Sequence, residues 1–331
     1  MLADHSVIIN GTRNEAHMNL IFCGTPKFAV PTLERLVEHG FSINLAVTQP
    51  DRPRGRGLQL AASPVKEQSL QFGIPVVQPE KIKNNEEFRA QLESIRPDAI
   101  IVVGYGRIIP QWMIDLPRHG NINLHASLLP KYRGAAPIQW AIAEGEKVTG
   151  VTTMRIDAGL DTGDILLQRT MEISDEDTSE TVAPRLAAIG ADLMVETLNG
   201  LENDVVRPIP QDHNAATLAP VLKREDGLIN FQRTAMEIDH RLRAFQPWPG
   251  AFTGFRGKQL NISKAKPQAE PRELACGTIL VERDRLLATC GGNSVLEIFE
   301  LQPEGKKRMS ARDFIHGYRP QTGEQFQAIA T

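Results

Sequence analysis

Five short apolar runs separated by segments of helical spacing fill residues 19–124, and this alternation constrains the fold more than any other feature of the chain. The runs are Asn19 to Cys23, Asn44 to Thr48, Val76 to Gln78, Ala99 to Val103 and Asn121 to Leu124. Between them, Phe28 to Glu38, Pro64 to Phe72 and Asn85 to Ser94 carry the helical spacing. Strands apolar at consecutive positions need cover on both faces, which helices crossing between parallel strands supply. The pattern predicts an α/β fold with a doubly wound, Rossmann-like parallel sheet. In such sheets ligands bind beyond the carboxyl ends of the strands, so residues there are the first candidates for function.

Val148 to Ile173 reads as two more strands joined by a Gly-rich turn, and Thr178 to Asn199 as a long amphipathic helix that closes this unit. The stretch from Val205 to Pro220 holds Pro208, Pro210 and Pro220 with little apolar periodicity, which marks a linker. A helix follows over Thr234 to Phe245, broken at Pro247 to Gly250. Five short runs come next: Ala251 to Phe255, Leu260 to Ala265, Gly277 to Glu282, Leu286 to Thr289 and Ser294 to Leu301. They predict a second, smaller all-β barrel, of which the oligonucleotide-binding type is one architecture. The expected organisation is a catalytic domain over 18–205, a linker over 206–222 and a C-terminal barrel over 223–331. A fragment ending near Val205 is expected to fold alone and keep its ligand pocket. Residues 1–17 lie outside both units and lack the apolar core of a secretory signal; a disordered leader, or a start at Met18, fits them.

With 41% apolar and 23% charged residues, the chain is of the ordinary globular class rather than collagenous, disordered or membrane-spanning. Cys23, Cys276 and Cys290 form no CxxC pair and no cluster with metal-ligand spacing, so a reducing cytoplasm and no metal site are expected. The net charge is only −3, yet from Lys223 onward there are 17 basic and 13 acidic residues. A surplus of that size fits a polyanion partner or a solvated face.

The densest polar information is Asn121-Ile-Asn-Leu-His-Ala-Ser-Leu-Leu-Pro-Lys-Tyr-Arg-Gly-Ala-Ala-Pro137, where the chain leaves a strand. Asn123 and His125 are two apart and project from one face of an extended backbone, at the ligand edge of the sheet. They could line a pocket or simply stitch a loop to the sheet end. Asp157-Ala-Gly-Leu-Asp-Thr-Gly-Asp164 is an acidic turn with glycines at 159 and 163, and spacing alone does not bring Asp161 beside His125. No G-x-G-x-x-G follows the first strand, which argues against a dinucleotide-dependent dehydrogenase. Gly104-Tyr-Gly-Arg107 after the fourth strand could line the pocket or be a plain turn. Asp51-Arg-Pro-Arg-Gly-Arg-Gly57 sets three arginines within five residues of a segment unsuited to a helix. Arginine forks suit phosphates and unpaired bases, and the other reading is a solvated loop.

Taken together, Phe22-Cys-Gly-Thr-Pro-Lys-Phe28, Thr48-Gln-Pro-Asp-Arg-Pro-Arg-Gly-Arg-Gly57, Asn123-Leu-His-Ala-Ser-Leu-Leu-Pro-Lys-Tyr-Arg-Gly-Ala-Ala-Pro-Ile138 and Gly159-Leu-Asp-Thr-Gly-Asp164 form one pattern. It continues through Arg243-Ala-Phe-Gln-Pro-Trp-Pro-Gly-Ala251 and Gly305-Lys-Lys-Arg-Met-Ser310. On these stretches the chain resembles the methionyl-tRNA formyltransferases of the folate-dependent formyltransferase superfamily. The resemblance implies transfer of a formyl group from 10-formyltetrahydrofolate to methionyl initiator tRNA by a monomeric enzyme without a metal. It also implies that Asn123, His125 and Asp161 are the catalytic trio, that Ser127, Leu128, Leu129 and Pro130 bind folate, and that Arg52, Arg54 and Arg56 contact tRNA. The leader and Arg54 depart from the pattern. A superfamily enzyme acting on a small amine, such as glycinamide ribonucleotide or an amino sugar, is disfavoured by the basic barrel. The intact trio disfavours a non-catalytic tRNA-binding module.

Overall fold

The computed structural model describes residues 18–54, 59–327 and 329; the leader over 1–17 lies outside them, as does Arg56. In chain order the first part contains β1 (Asn19–Gly24), α1 (Val30–Glu38), β2 (Ser42–Val47), β3 (Arg52–Arg54), β4 (Gln59–Ala61), α2 (Pro64–Gln71), β5 (Val76–Val77), α3 (Glu86–Ile95) and β6 (Ala99–Val103). It continues with α4 (Gln111–Ile114), β7 (Asn121–His125), β8 (Arg133–Gly134), α5 (Pro137–Ala143), β9 (Val148–Arg155), β10 (Ile165–Glu172) and α6 (Ser179–Glu202). The remainder comprises β11 (Leu218–Ala219), α7 (Ala235–Ala244), β12 (Phe252–Phe255), β13 (Lys258–Gln268), β14 (Ile279–Glu282), β15 (Arg285–Thr289), β16 (Val295–Pro303), β17 (Met309–Ser310) and α8 (Ala311–Tyr318).

Seven strands form the first sheet in the order β10-β9-β7-β6-β1-β2-β5, parallel from β7 to β5, with β9 and β10 antiparallel. The consecutive apolar residues of β1 and β6 are buried as expected for strands covered on both faces. Local signals set the helix starts. Ser63 and Asn85 cap α2 and α3 by accepting the N–H groups of Lys66 and Phe88. Thr178 and Thr181 close a reciprocal box at the start of α6, and a cap of this kind is worth about 1 kcal/mol. Strand order reverses at β1, flanked by β2 on one side and β6 on the other. The crevice beyond the carboxyl ends of β1 and β6 is the ligand position of such sheets.

The arginine-rich segment differs from the loop expected. Arg52, Pro53 and Arg54 pair with Ala61, Leu60 and Gln59 as an antiparallel hairpin. Proline is tolerated there because the two-stranded ribbon has a free edge on either side.

The second sheet runs β12-β13-β16-β15-β14, with β17 on β16. Its outer strands β12 and β14 are bridged by the chain after α8. Gly254 and Gln327 exchange N–H···O bonds of 2.8 and 2.9 Å, and on the other side the Ile279 N–H donates to the Glu324 carbonyl at 2.7 Å. Phe326 turns inward and stacks on Phe231 with ring centroids 5.3 Å apart. Both open edges are thus paired, and the sheet closes as a barrel. Replacing Phe326 by alanine should therefore lower unfolding stability by about 3 kcal/mol, the scale for a buried phenylalanine. Equilibrium urea unfolding checks this, and a loss below about 1 kcal/mol would show that the bridge is not part of the barrel core.

The two units share α7. Its Ile238 and Leu242 belong to the barrel core, while Ala244 and the adjoining Phe245 belong to the core of the first sheet. Phe245 meets Trp140 of α5 edge-on at 5.6 Å, and the Arg241 guanidinium lies over both rings. Leu222 also enters the first core, so that core draws on residues beyond Val205.

Candidate active site

Asn123 and His125 stand two residues apart at the carboxyl end of β7 and line one cleft of about 900 Å³. The cleft is walled by the segment 104–109 after β6, by residues 134–139 at the start of α5, and by residues 156–161 of the turn between β9 and β10. Asp161 reaches the same wall: its Oδ2 lies 3.6 Å from His125 Nδ1 and accepts the Gly134 N–H at 2.8 Å. Asn123, His125 and Asp161, far from adjacent in sequence, are brought together.

The imidazole is oriented from the opposite side. His125 Nε2 is 2.8 Å from the Tyr132 carbonyl oxygen. A carbonyl only accepts, so Nε2 carries the proton and Nδ1 is the nitrogen left to receive one. The Tyr132 carbonyl thus fixes the tautomer, while Asp161 supplies a carboxylate that a proton arriving on Nδ1 would meet. Asn123 makes no side-chain hydrogen bond with the other described residues, which leaves its amide N–H groups available to a ligand.

Backbone geometry at the turn explains its sequence. Asp161 adopts φ 52°, unusual for a residue with a side chain, and its carbonyl accepts the Gln211 Nε2–H at 2.9 Å. Asp157 caps the turn by accepting the Gly159 N–H and the Thr162 hydroxyl. A Cβ at Gly163 would lie 2.0 Å from the Arg155 carbonyl oxygen, so only glycine fits.

The other candidates are placed differently. Ser127 is fully buried, donates its hydroxyl to the Lys131 carbonyl at 2.6 Å, and accepts the Thr152 hydroxyl on its own carbonyl at 2.6 Å. The Leu129 N–H donates to Thr152 Oγ1 and its carbonyl accepts from Gln168. Ser127 and Leu129 are thus bonded to the neighbouring Lys131 and Thr152, and Ser127 to Pro130 are not among the residues lining the cleft. Arg52 is exposed and donates to Gln49 Oε1 at 2.8 Å, and Gln49 in turn holds the carbonyls of Tyr105 and Gly106. This puts Arg52 at the rim of the cleft. The side chains of Arg54 and Arg56 lie outside the described residues.

Sequence reading gave no role to Ile108 and Leu160, while Gly104-Tyr-Gly-Arg107 lines the cleft, one of the two readings open for it. Ile108 is 92% exposed and Leu160 62% exposed, two apolar side chains facing the opening. Tyr105 is buried in the core beneath the cleft wall, and burial pushes its hydroxyl well above the ordinary tyrosine range. Gly104 and Gly106 have φ of 56° and 75°, which the paired glycines of Gly104-Tyr-Gly106 foreshadow. Among the described residues no group of three or more His, Cys, Asp or Glu gathers as metal ligands.

A doubly wound sheet with an Asn–His–Asp set beside its switch point, followed by a closed barrel, is the architecture of a formyl transferase. The family described as "Formyl transferase" matches residues 18–198, and "Formyl transferase, C-terminal domain" matches 221–319. The methionyl-tRNA formyltransferase of Koribacter versatilis is 64% identical over 95% of this chain and 100% of its own length. That of Acidobacterium capsulatum is 62% identical over 91% and 96%. The chain belongs to the methionyl-tRNA formyltransferase family. Among solved structures, an N-formyltransferase from Helicobacter canadensis, in complex with folinic acid and dTDP-3-aminofucose, superposes with a TM-score of 0.64 at 18% identity, covering 87% of this chain and 99% of that one. A sugar 3N-formyltransferase solved in the presence of dTDP and 5-N-formyl-THF gives 0.63 at 19% identity over 88% and 99%. At such identities the likeness concerns the fold.

Proposed function

We propose that this formyltransferase moves the formyl group of 10-formyltetrahydrofolate to the α-amino group of methionine on initiator tRNA, with Asn123, His125 and Asp161 as its catalytic residues. The observation that carries the reading is the His125 ring: one nitrogen is committed to a backbone carbonyl, and the other faces a carboxylate on the wall of a cleft large enough for a folate. Attack of the neutral amine forms a C–N bond at the formyl carbon and gathers charge on the formyl oxygen. Asn123 is free to donate an N–H to that oxygen. The amine proton passes to His125 Nδ1, the ion pair with Asp161 holding it there. As the tetrahedral centre collapses, the bond to the folate nitrogen breaks and His125 returns the proton to it. Atoms and charge balance without another reactant.

In this reading the folate ring system lies along 104–109 and 156–161, with Ser127, Leu128, Leu129 and Pro130 as its further binding segment. The tRNA acceptor end approaches the rim at Arg52, with Arg54 on the same strand and Arg56 two residues further along the chain as its other contacts, and the enzyme works in the cytoplasm as a monomer. Incubation with 10-formyltetrahydrofolate should formylate methionyl initiator tRNA and neither free methionine nor small amines. Preferential formylation of a small amine would overturn the assignment. Replacing Arg52, Arg54 and Arg56 together by alanine should raise KM for tRNA and flatten its dependence on salt, because phosphate contacts release counterions. Arg56 should account for the largest share. Unchanged tRNA kinetics would leave the barrel as the principal contact.

A further inference from the structure

Residues 206–222 do not behave as a tether between domains. The segment lies across the loops that carry the trio and bonds to each of them. Ile209 and Ile165 exchange backbone hydrogen bonds of 2.8 Å at the end of the acidic turn. Leu218 and Ala219 of β11 pair in parallel with Arg133 and Gly134 of β8. Gly134 is the residue whose N–H holds Asp161, and it is pressed so close that a Cβ there would lie 2.6 Å from the Ala219 carbonyl oxygen.

Two side-chain positions stand out. Gln211 is 6% exposed and uses all four of its hydrogen-bonding capacities. Its Oε1 accepts from Arg133 Nε at 3.1 Å and from the same guanidinium's second nitrogen at 2.6 Å. Its Nε2 donates to the carbonyls of Asp161 at 2.9 Å and Gly163 at 2.6 Å. A left-handed aspartate persists only where its surroundings over-determine it, and Gln211 grips the carbonyl of that residue. Thr217 acts on the other partner. Its carbonyl accepts the Arg133 N–H at 2.8 Å and its Oγ1 accepts the Tyr132 N–H at 2.9 Å. The Arg133 N–H and the Tyr132 C=O belong to one planar peptide and point in opposite directions. Fixing the N–H on Thr217 therefore aims the C=O at His125 Nε2. Tyr132 itself has φ 61°, a conformation that also needs external support.

We propose that the segment 206–222 is a strap that sets the His125–Asp161 geometry, with Gln211 and Thr217 as positioning residues. Gln211 places the carboxylate, and Thr217 holds Tyr132, whose carbonyl fixes the imidazole, with its Oγ1 on the Tyr132 N–H supporting the left-handed backbone there and its carbonyl on the next N–H. The proposal rests on the reading of His125 and Asp161 as the reacting pair.

The test uses the full chain with 10-formyltetrahydrofolate and methionyl initiator tRNA, and compares Gln211→Glu, Thr217→Val, Thr217→Ser and His125→Ala. Glutamate keeps an acceptor for Arg133 but loses both donors to the turn. Valine removes the Oγ1 acceptor and serine restores it. Gln211→Glu and Thr217→Val should each lower kcat about tenfold to a hundredfold, the usual scale for a partner that orients a reacting group, with KM for either substrate within about threefold of native. Thr217→Ser should recover most of the lost kcat, and the pH profile of Gln211→Glu should depart from the native one. Native kcat in both Gln211→Glu and Thr217→Val, or a loss carried wholly by KM, would overturn the strap. His125→Ala separates the two levels. If it is inactive while the strap variants are native, only the strap fails, whereas native turnover in His125→Ala means that the trio reading fails. Should Gln211→Glu not fold, the Thr217 pair still decides.

Discussion

Replacing His125 by alanine is expected to lower kcat by about two to four orders of magnitude, the range for loss of a general base. The expectation follows from the division of labour on the ring. Nε2 is committed to the Tyr132 carbonyl, so Nδ1 is the position that can take the amine proton and return it. Alanine leaves that carbonyl without its donor, which costs about 1 kcal/mol of stability and not the fold. Asn123 and the cleft wall stay in place, so donor and tRNA should bind as before. Single-turnover formylation with both substrates saturating isolates the step. A kcat within about tenfold of native would remove His125 from the proton path.

The second large effect is expected at Asp161→Asn, which removes charge with little change of shape. Oδ2 must accept the Gly134 N–H at 2.8 Å, so an asparagine keeps its oxygen there and turns its amine outward. The ring geometry is then preserved, because the tautomer is held by Tyr132 rather than by Asp161. What disappears is a carboxylate 3.6 Å from Nδ1. At an effective dielectric near 20 such a pair is worth about 4 kcal/mol, which caps the loss of kcat at about three orders of magnitude. The pH profile of kcat should change as well, since a proton on the ring no longer meets a negative charge. An unchanged kcat and profile would reduce Asp161 to a cap on the turn.

These two substitutions also show how much of the site the sequence discloses. The strand positions of Asn123 and His125 follow from apolar runs and a period of two, and both residues face one cleft as that period requires. Asp161 enters only through the resemblance, because the turn that delivers it lies 36 residues away and its reach depends on a left-handed backbone. Ser127 to Pro130 carry a distinctive sequence, and the hydrogen bonds of Ser127 and Leu129 tie that stretch to Lys131 and Thr152; motif strength alone does not separate a scaffold from a contact surface. Gln211 and Thr217 leave no local trace at all. Their partners are residues 48, 50, 78, 84 and 85 positions away, and a proline-bearing stretch without periodicity reads as a linker whether or not it is bonded. The seven-residue α5 and the two-residue β8 and β11 are too short for periodicity to register.

The helix shared by the two cores governs how a large substrate is met. A hinge needs residues that can absorb backbone rotation without disturbing a packed interior. Here α7 passes from the barrel core to the core of the first sheet within one element, and Arg243 near its end donates to the Asp177 carbonyl while the Gln246 carbonyl accepts the Ser179 hydroxyl. Rotation of the barrel would have to break that packing. That packing opposes any change in the distance between cleft and barrel surface, so a substrate that touches both is gauged against a length the fold resists changing, as by callipers with a stiff jaw.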